Sequence, residues 1–167
     1  MYTKEHFSLS ETEMHDFVRS RSFGVLAGHH EGEVLTSPLP LDLRTASDDS
    51  LFIAGHVARA NDMTAAIEAG APVSITFMGP DTYVPAEWFG TRDRIPTWFY
   101  CAVELRGQFL ASGPELTRAD VEALIERLQK NTVEGSTWTL DEMPPDLTEG
   151  YLKHIVGFRV HEPRFRS

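Results

Sequence analysis

Arg59 and Asn61 stand where an apolar segment passes into an alanine-rich one, within the stretch Leu51–Ile67 (LFIAGHVARANDMTAAI). The apolar half predicts a β-strand, and the alanine-rich half, with its helical spacing, predicts an α-helix. Such a junction collects unpaired backbone N–H groups and the positive end of a helix dipole, and Arg59 adds a full positive charge. Together these features suit a phosphate group. The alternative is that Asn61 is an ordinary N-cap residue and Arg59 an ordinary surface charge.

Other arrangements of reactive side chains give no comparable signal. The seven histidines lack metal-ligand spacings, such as a helical pair four residues apart beside an acid, so no metal site is predicted. The Gly-x-Ser-x-Gly pattern of a nucleophile elbow is missing, as are the Gly-x-Gly-x-x-Gly and P-loop patterns. The sequence therefore indicates neither a hydrolase nor a Rossmann or NTPase site, and it assigns no catalytic residue.

Five aromatic residues lie within Trp88–Tyr100 (WFGTRDRIPTWFY), on both sides of a Gly-Thr-Arg-Asp-Arg loop. Such a cluster can offer stacking faces to a planar ligand, but packing in a core or at a dimer contact is its commoner use. Cys101 follows directly, inside an apolar strand pattern where a buried and inert thiol is expected. Because it is the only cysteine, the chain cannot form an intrachain disulfide.

Local patterns predict the elements that position these residues. Ser10 and Glu13 have the spacing of a capping box, which predicts a first helix over Glu11–Ser20. Besides the central stretch, the other predicted elements are strands over Phe23–Ala27, Glu33–Leu43, Ala71–Met78, Trp98–Ala111 and Ile155–Val160, a turn over His29-His30-Glu31-Gly32, and helices over Thr117–Gln129, capped by Thr117, and Leu147–His154.

Prolines and glycines set several boundaries. Pro38 and Pro40 cannot donate to a strand ladder, so the segment Glu33–Leu43 belongs at a sheet edge, at a bulge or against a ligand. Gly70 is a natural C′ residue for the helix of the central stretch. Gly79-Pro80-Asp81 predicts a turn that closes the strand before it.

The overall pattern predicts an α+β fold built on an antiparallel β-barrel, because about six short strands and two or three helices show no regular βαβ alternation. A length of 167 residues suits one domain over residues 1–167. No secretory signal or long apolar run is present, so we expect a cytoplasmic protein. The formal charge of −10 opposes direct contact with nucleic acids.

Six segments of the chain are informative when they are taken together in chain order. They are Met1-Tyr2 with His6-Phe7, Ser37-Pro38-Leu39-Pro40-Leu41, Gly55-His56-Val57-Ala58-Arg59-Ala60-Asn61, Phe77-Met78-Gly79-Pro80 with Tyr83-Val84, Ile95-Pro96-Thr97-Trp98 with Tyr100, and Ile155-Val156-Gly157-Phe158. Together they resemble the PaiB-like family of FMN-binding negative transcriptional regulators. Each segment is a weak signal alone, but the six span nearly the whole chain in the family's order. The resemblance implies the antiparallel split β-barrel of flavin-binding proteins, with peripheral helices.

The resemblance also implies a homodimer that holds FMN at the subunit interface. Arg59 would pair with the phosphate where the strand turns into the helix. The backbone around Ala58, next to Val57, and the side chain of Asn61 would complete the grip. Asp62 follows where the family usually continues with Pro-Gln-Trp, and it adds a negative charge beside the expected phosphate.

For the isoalloxazine ring, the resemblance implies contacts along Ser37, Pro38 and Leu39, where a proline-interrupted strand leaves N–H and C=O groups for the ring edge. Trp98 would pack near the ring or close the interface, and His56 would either form a hydrogen bond there or have a structural role. Two alternatives remain open: a DNA-binding transcriptional regulator, and a split-barrel binder of haem, deazaflavin or another small molecule that has lost FMN.

Overall fold

Eight antiparallel strands form one continuous sheet in the computed structural model, which describes residues 7–167. The strands are β1 (Phe23–His30), β2 (Glu33–Thr45), β3 (Leu51–Ala58), β4 (Pro72–Val84), β5 (Thr97–Gln108), β6 (Leu110–Ala111), β7 (Ile155–His161) and β8 (Arg164–Arg166). Their order across the sheet is β6-β7-β3-β2-β1-β4-β5-β8. The helices are α1 (Glu11–Ser20), α2 (Met63–Glu68), α3 (Pro114–Thr132) and α4 (Pro145–Lys153), with short 3₁₀ turns at Ala86–Phe89 and Leu140–Glu142.

This arrangement confirms the predicted α+β class, with an antiparallel half-barrel and peripheral helices. The first helix has its predicted bounds, and the capping box defines its start: Glu13 N donates to Ser10 Oγ at 3.3 Å, and Ser10 N donates to the Glu13 carboxylate at 2.8 Å. Strand β8 was not predicted, because three residues are too few to show a periodic pattern, and β6 was predicted only as the end of the longer strand Trp98–Ala111. Within residues 7–167, no helix is both long and apolar enough to cross a membrane.

The two prolines of β2 occupy a local edge inside the sheet. β2 pairs with β1 over Glu33–Pro40 but with β3 only over Leu41–Thr45. Leu41 N–H points toward β1, since it donates to Ser22 O at 2.8 Å. Backbone N–H groups alternate in direction along a strand, so the nitrogens of Pro38 and Pro40 point away from β1. They face the edge of β2 along which β3 does not pair. The missing N–H groups therefore cost no ladder bond, as the sequence predicted.

The predicted turn at Gly79-Pro80-Asp81 is wrong, because β4 continues through it. The pairing of β4 with β5 shifts register between Met78 and Asp81, and this bulge absorbs the proline. A Cβ at Gly79 would lie 2.9 Å from the Phe17 ring, so glycine is what allows α1 to pack here. Beyond the bulge the two strands continue as a hairpin over residues 81–100, which we call the aromatic arm.

Two other predicted boundaries differ from the structure. The strand expected over Trp98–Ala111 breaks at Phe109, whose N–H donates to Ala71 O and whose ring packs on Phe158 at 5.1 Å. Helix α3 begins at Pro114 with Gly113 as its N-cap, so Thr117 is not the cap. Thr117 instead lies in the first turn and occupies the space that a side chain at position 157 would need.

The core lies inside the curled sheet, and α2 closes one end of it. Leu26, Ile53, Phe77 and Phe158 are fully buried. Met63 and Ile67 of α2 are also fully buried, and each such side chain contributes roughly 1.5–3 kcal/mol. A helix of six residues is unstable alone, so this burial, rather than intrinsic propensity, explains why α2 forms.

Helix α3 covers the outer face of β2, β3 and β7 through buried ion pairs. Asp120 accepts from Arg44 Nη1 at 2.7 Å, and from Arg159 Nη2 at 2.6 Å and Nε at 2.8 Å. Both guanidinium groups also lie over the Phe52 ring. A second pair joins Arg127 Nε to Asp42 at 2.8 Å. Burial raises the pKa of the Asp42 carboxyl, while Arg127 and Arg44 act in the opposite direction.

Candidate functional site

The turn between β3 and α2 holds Arg59 in a fixed position. Its Nε donates to Lys153 O and its Nη2 donates to Ile155 O, both at 3.0 Å. Its backbone N–H donates to His154 O at 2.7 Å. Arginine has five N–H donors. Among residues 7–167, none accepts from Nη1 or from the second N–H of Nη2, so three donors on an exposed side chain are available to a ligand.

The side chain of Asn61 caps α2, as one sequence interpretation expected, and it also forms a bond to β2. Its Oδ1 accepts from Met63 N at 2.9 Å, and its Nδ2 donates to Ser37 Oγ at 3.0 Å. Asp62 occupies the formal cap position but forms no capping bond. The amide of Asn61 thus caps α2 and ties it to β2. Because α2 is only six residues long, its dipole adds little to anion binding.

Thr64 supports the same turn, and no sequence pattern had identified it as a site residue. Its hydroxyl lies 3.4 Å from Ala58 O and 3.3 Å from Arg59 O. Beside the turn is a concavity of about 420 Å³, lined by Arg59, Asn61, Thr64, and residues of the β1–β2 hairpin. Four carboxylates line it as well: Glu31, Glu33, Asp62 and Glu68.

The other residues selected on β2 and β3 lie on different faces of the sheet. Ser37, Leu39 and Val57 are at least 94% buried and belong to the core side of their strands. The side chain of Pro38 lies on the opposite, exposed face, and Ala58 is exposed at the end of β3. Ser37 therefore acts through its bond to Asn61, while Leu39 and Val57 support the site by packing.

His56 lies on the side of β3 that α3 covers. It is paired with Gly157 of β7, and strand alternation places it on the same face as Phe52. Its ring is half-buried, and this burial lowers the pKa of the imidazole. Within residues 7–167 it has no hydrogen-bond partner, so packing beside the start of α3 is the role that the geometry supports.

Trp98 lies far from Arg59 and Asn61 within one chain. Ser37 pairs with Leu26, Leu26 with Ile75, and Ile75 with Leu105, so a row across the sheet links Ser37 to β5. Trp98 is seven residues from Leu105 along β5. At about 3.3 Å per residue this is roughly 23 Å along the strand alone. Trp98 is half-exposed and packs on Tyr83, with ring centroids 6.0 Å apart.

A broad apolar surface remains uncovered beside this site. The outer side of β1, β2 and β4 carries Phe23 at 62% exposure, Val25 at 40% and Met78 at 51%, with Pro40 paired to Phe23 and Pro38 paired to Val25 on the neighbouring strand β2. We call these five residues the open sheet face. Apolar patches of this kind mark interaction surfaces more often than ordinary surface. Two predicted features meet here: the proline-interrupted strand and the Met78-Gly79-Pro80 segment.

Two comparisons with solved structures define the fold class as the split β-barrel. The chain is similar to the FAD and haem binding protein from Mycobacterium smegmatis, with a TM-score of 0.65 and 14% identity, over 94% of this chain and 69% of that one. It is also similar to a conserved hypothetical protein from Mycobacterium tuberculosis, with a TM-score of 0.64 and 18% identity, over 99% and 88% of the two chains.

Comparisons of the amino-acid sequence assign the chain to a particular family within this fold class. Residues 1–162 match the family described as "Putative FMN-binding domain". The chain is 30% identical over 161 residues to the protease synthase and sporulation protein PAI 2 of Bacillus subtilis (strain 168), covering 96% of this chain and 76% of that protein. The chain belongs to this PaiB-like family of FMN-binding split-barrel proteins. The resemblance is thus confirmed, although Met1-Tyr2 and His6 of its first segment lie outside the described residues.

Proposed function

We propose that the protein is a cytoplasmic homodimer, each chain a single split-barrel domain, that holds FMN at the interface between its subunits. Arg59 and Asn61 bind the phosphate, together with the backbone at Ala58. The observation that carries this proposal is the Arg59 guanidinium, which two carbonyl oxygens hold in place while some of its N–H donors remain unused. The chain that presents these donors belongs to an FMN-binding family. When bound, FMN supplies the redox chemistry, and the residues described here bind and orient it.

The chemistry of the turn fits a phosphate. A guanidinium can give two parallel N–H bonds to phosphate oxygens from two of its nitrogens, and Arg59 retains unused N–H groups on both Nη1 and Nη2. Asp62 and Glu68 lie at the same concavity and repel a dianion, but both side chains are exposed and screened by solvent. They reduce the affinity without removing the donor set.

The isoalloxazine ring of FMN lies along the local edge of β2, where the backbone carbonyls of Pro38 and Pro40 face away from β1 and are not paired with β3. Pro38 offers its exposed side chain to the ring, while Ser37 and Leu39 support that strand from the core. Trp98 cannot reach this place from its own chain, so the aromatic arm of the second subunit supplies it. The exposure of the open sheet face supports the homodimer, because a second subunit would bury these apolar side chains.

The direct test is flavin binding by the purified protein. Absorbance bands of a flavin, or uptake of added FMN in a fluorescence titration, support the proposal, and neither would contradict it. Arg59→Ala should weaken FMN binding roughly 10- to 150-fold, since a hydrogen bond to a charged group contributes about 1.5–3 kcal/mol. Arg19→Ala, which removes an exposed arginine from α1, is the matched control and should leave the affinity unchanged.

Mass spectrometry of the intact complex separates FMN from other ligands. A mass increase equal to FMN supports the proposal, whereas one equal to haem or a deazaflavin replaces FMN with that molecule. Circular dichroism of Arg59→Ala is needed alongside, because the bonds to Lys153 O and Ile155 O also join β3 to α4. A variant with native spectrum and unchanged FMN affinity would exclude Arg59 from the phosphate site.

A regulatory role for this flavoprotein is supported by the name of its relative, which links PAI 2 to protease synthesis and sporulation. The formal charge of −10 favours regulation through another protein over direct DNA contact. A mobility-shift experiment at low salt, using the upstream region of the protein's own gene, tests this point. A salt-sensitive shift would establish direct binding and would overturn this preference.

A further inference from the structure

A cavity of about 530 Å³ lies where β4 and β8 begin and where β5 and β7 end. Its volume is within the range of small-molecule sites in proteins. His161, which lines it, pairs with Phe52, six residues before Ala58 on β3. The cavity is therefore roughly 20 Å along that strand from the turn at Arg59. The flavin proposal uses none of the residues that line it.

The lining of this cavity differs in charge from those of two other concavities. Arg164 contributes a positive charge and His161 an imidazole, and among residues 7–167 no carboxylate lines the cavity. The concavity at the β3–α2 turn has four carboxylates in its lining, and a cavity between α3, α4 and β7 has three. In a chain with a formal charge of −10, a cationic lining without carboxylates is the exception that suits an anion.

Arg164 is the main cation of the lining. It begins β8 and lies directly opposite Arg106 of β5. Arg106 is paired with Glu104 at 2.9 Å, whereas the side chain of Arg164 has no ion pair or hydrogen bond among residues 7–167. A guanidinium opposite another guanidinium makes the local field more positive. All five side-chain N–H donors of Arg164 are therefore available to an anion.

His161 is held in a position from which it can add a hydrogen bond. Its ring stacks on Phe52, with ring centroids 5.6 Å apart. Glu162 then adopts a φ of 44°, and this turn brings His161 and Arg164 to the same cavity. Asp48 interacts electrostatically with His161 from outside the lining. Arg164 therefore supplies the permanent charge, and His161 supplies a directed donor.

The rest of the lining is neutral and partly apolar. Leu110 is 58% exposed, and Pro72 is exposed as well, so both can pack on a small apolar group. Gln108, which pairs with Pro72, is exposed and can donate from its amide. The lining thus suits a molecule that joins an anionic group to a small apolar body.

We propose that this cavity is a second ligand site, which binds a phosphate monoester with a small apolar or aromatic group. The phosphate accepts two parallel N–H bonds from Arg164 and a further bond from His161. The apolar group packs on Leu110 and Pro72. A dianion is tolerated because no carboxylate in the lining repels its second charge. Since the site lies apart from the turn at Arg59, it holds whether or not the protein binds FMN.

Calorimetric titration of the purified protein with phenyl phosphate is the first test, with phenol and benzylamine as matched compounds. Saturable binding of phenyl phosphate, weaker or absent for the other two, is the expected result. No saturable binding of phenyl phosphate would overturn the proposal. Equal affinity for inorganic phosphate would overturn the assignment of an apolar group.

Two substitutions on β8 separate a site from general surface charge. Arg164→Gln should weaken phenyl phosphate about 10-fold, as expected for loss of a hydrogen bond to a charged group at an exposed position. Arg166→Gln is the matched control, because it removes the same charge from the same strand outside the lining. Equal losses from both variants would overturn the site.

A third substitution tests the absence of carboxylates directly. Gln108→Glu adds a negative charge to the lining with little change in shape, so it should weaken phenyl phosphate binding by about 10-fold or more at low salt. Circular dichroism checks that the variant keeps its fold. Unchanged affinity in a folded variant would contradict the proposed location.

Nuclear magnetic resonance distinguishes this cavity from the proposed flavin site. Phenyl phosphate should shift the amide signals of Gly107, Leu110 and His161, and these shifts should persist in Arg59→Ala. Shifts confined to Arg59 and Asn61, and lost in that variant, would place the probe at the β3–α2 turn and overturn the second site. FMN titration of Arg164→Gln should give the wild-type affinity, so the two proposals fail independently.

Discussion

The outer surface of the sheet has two halves, of which one is covered by a helix and the other is exposed. Over β2, β3 and β7 it is covered by α3, and the contact contains Asp120 with Arg44 and Arg159. Over β1, β2 and β4 it carries the open sheet face, where Phe23 and Met78 are more than half exposed. The covered half uses ion pairs between elements of one chain, whereas the bare half consists of apolar side chains without a covering element among residues 7–167.

This difference indicates which half would form the interface of the proposed homodimer. Buried ion pairs need exact partners, and α3 supplies them from within the chain. Apolar side chains need only shape and exclusion of water, which a second copy of the same face can provide. The β3–α2 turn lies at the seam between the two halves, where β2 stops pairing with β3 and Asn61 reaches across to Ser37.

The largest effect is expected on the covered half. Asp120→Ala removes the buried acceptor for the partly buried guanidinium groups of Arg44 and Arg159, so the free energy of unfolding should fall by about 3 kcal/mol. Urea denaturation followed by circular dichroism measures this change. Asp141→Ala also removes an arginine partner, but at an exposed site, so it should cost no more than about 1 kcal/mol. Similar losses for both variants would show that α3 is not held by its buried ion pairs.

Disruption of the bare half should change assembly rather than folding. Val25→Lys places a charge at the centre of the open sheet face, and burying it unpaired should weaken the dimer by roughly 100-fold or more. Sedimentation velocity over a concentration series measures the dissociation constant. Leu147→Lys, on the exposed side of α4, is the control and should leave it unchanged. A wild-type protein that is monomeric at high concentration would contradict the interface.

A smaller effect is expected at the seam. Asp62→Asn removes one exposed negative charge beside the phosphate site, which should strengthen FMN binding about 2- to 4-fold at low salt. The gain should shrink as salt is added, because screening already weakens the repulsion. Asp146→Asn, at the start of α4 and exposed, provides the matched control in the same fluorescence titration. Equal gains from both variants would trace the effect to net charge alone.

The smallest effect concerns the pH dependence of stability on the covered half. Burial lowers the pKa of His56 in the folded state, so the unfolded chain takes up a proton first as the pH falls below about 6.5. Wild-type stability should therefore drop below that pH by more than the stability of His56→Gln. Above it the imidazole is neutral in both states and contributes no pH dependence. Parallel profiles for the two proteins would show that His56 titrates as in the unfolded chain.

Elements set by neighbouring residues could be predicted from the sequence. The capping box of Ser10 and Glu13 fixed the start of α1, and Gly70, with φ of 62°, follows the end of α2 as expected. The prolines of β2 were placed correctly at a local edge. Gly79-Pro80 was misread because the same residues serve a turn or a bulge, and only the approach of Phe17 from α1 decides between them.

The geometry of the candidate site could be predicted only in part. Arg59 and Asn61 were selected from their types, their junction and the family resemblance, and their role in binding a phosphate stays a prediction. The bond from Asn61 to Ser37 and the location of His56 under α3 depend on register between distant strands, which no local pattern carries.

Arg59 is held by the carbonyl oxygens of residues 153 and 155, and any amino acid supplies such an oxygen. Side chains at these two positions can therefore change during evolution while the contact persists. Deep mutational scanning of flavin binding should show a sharp requirement at position 59 and a flat profile at 153 and 155, apart from substitutions that disturb the backbone. Such a contact leaves no paired signal in sequence covariation, although it joins residues 94 and 96 positions apart.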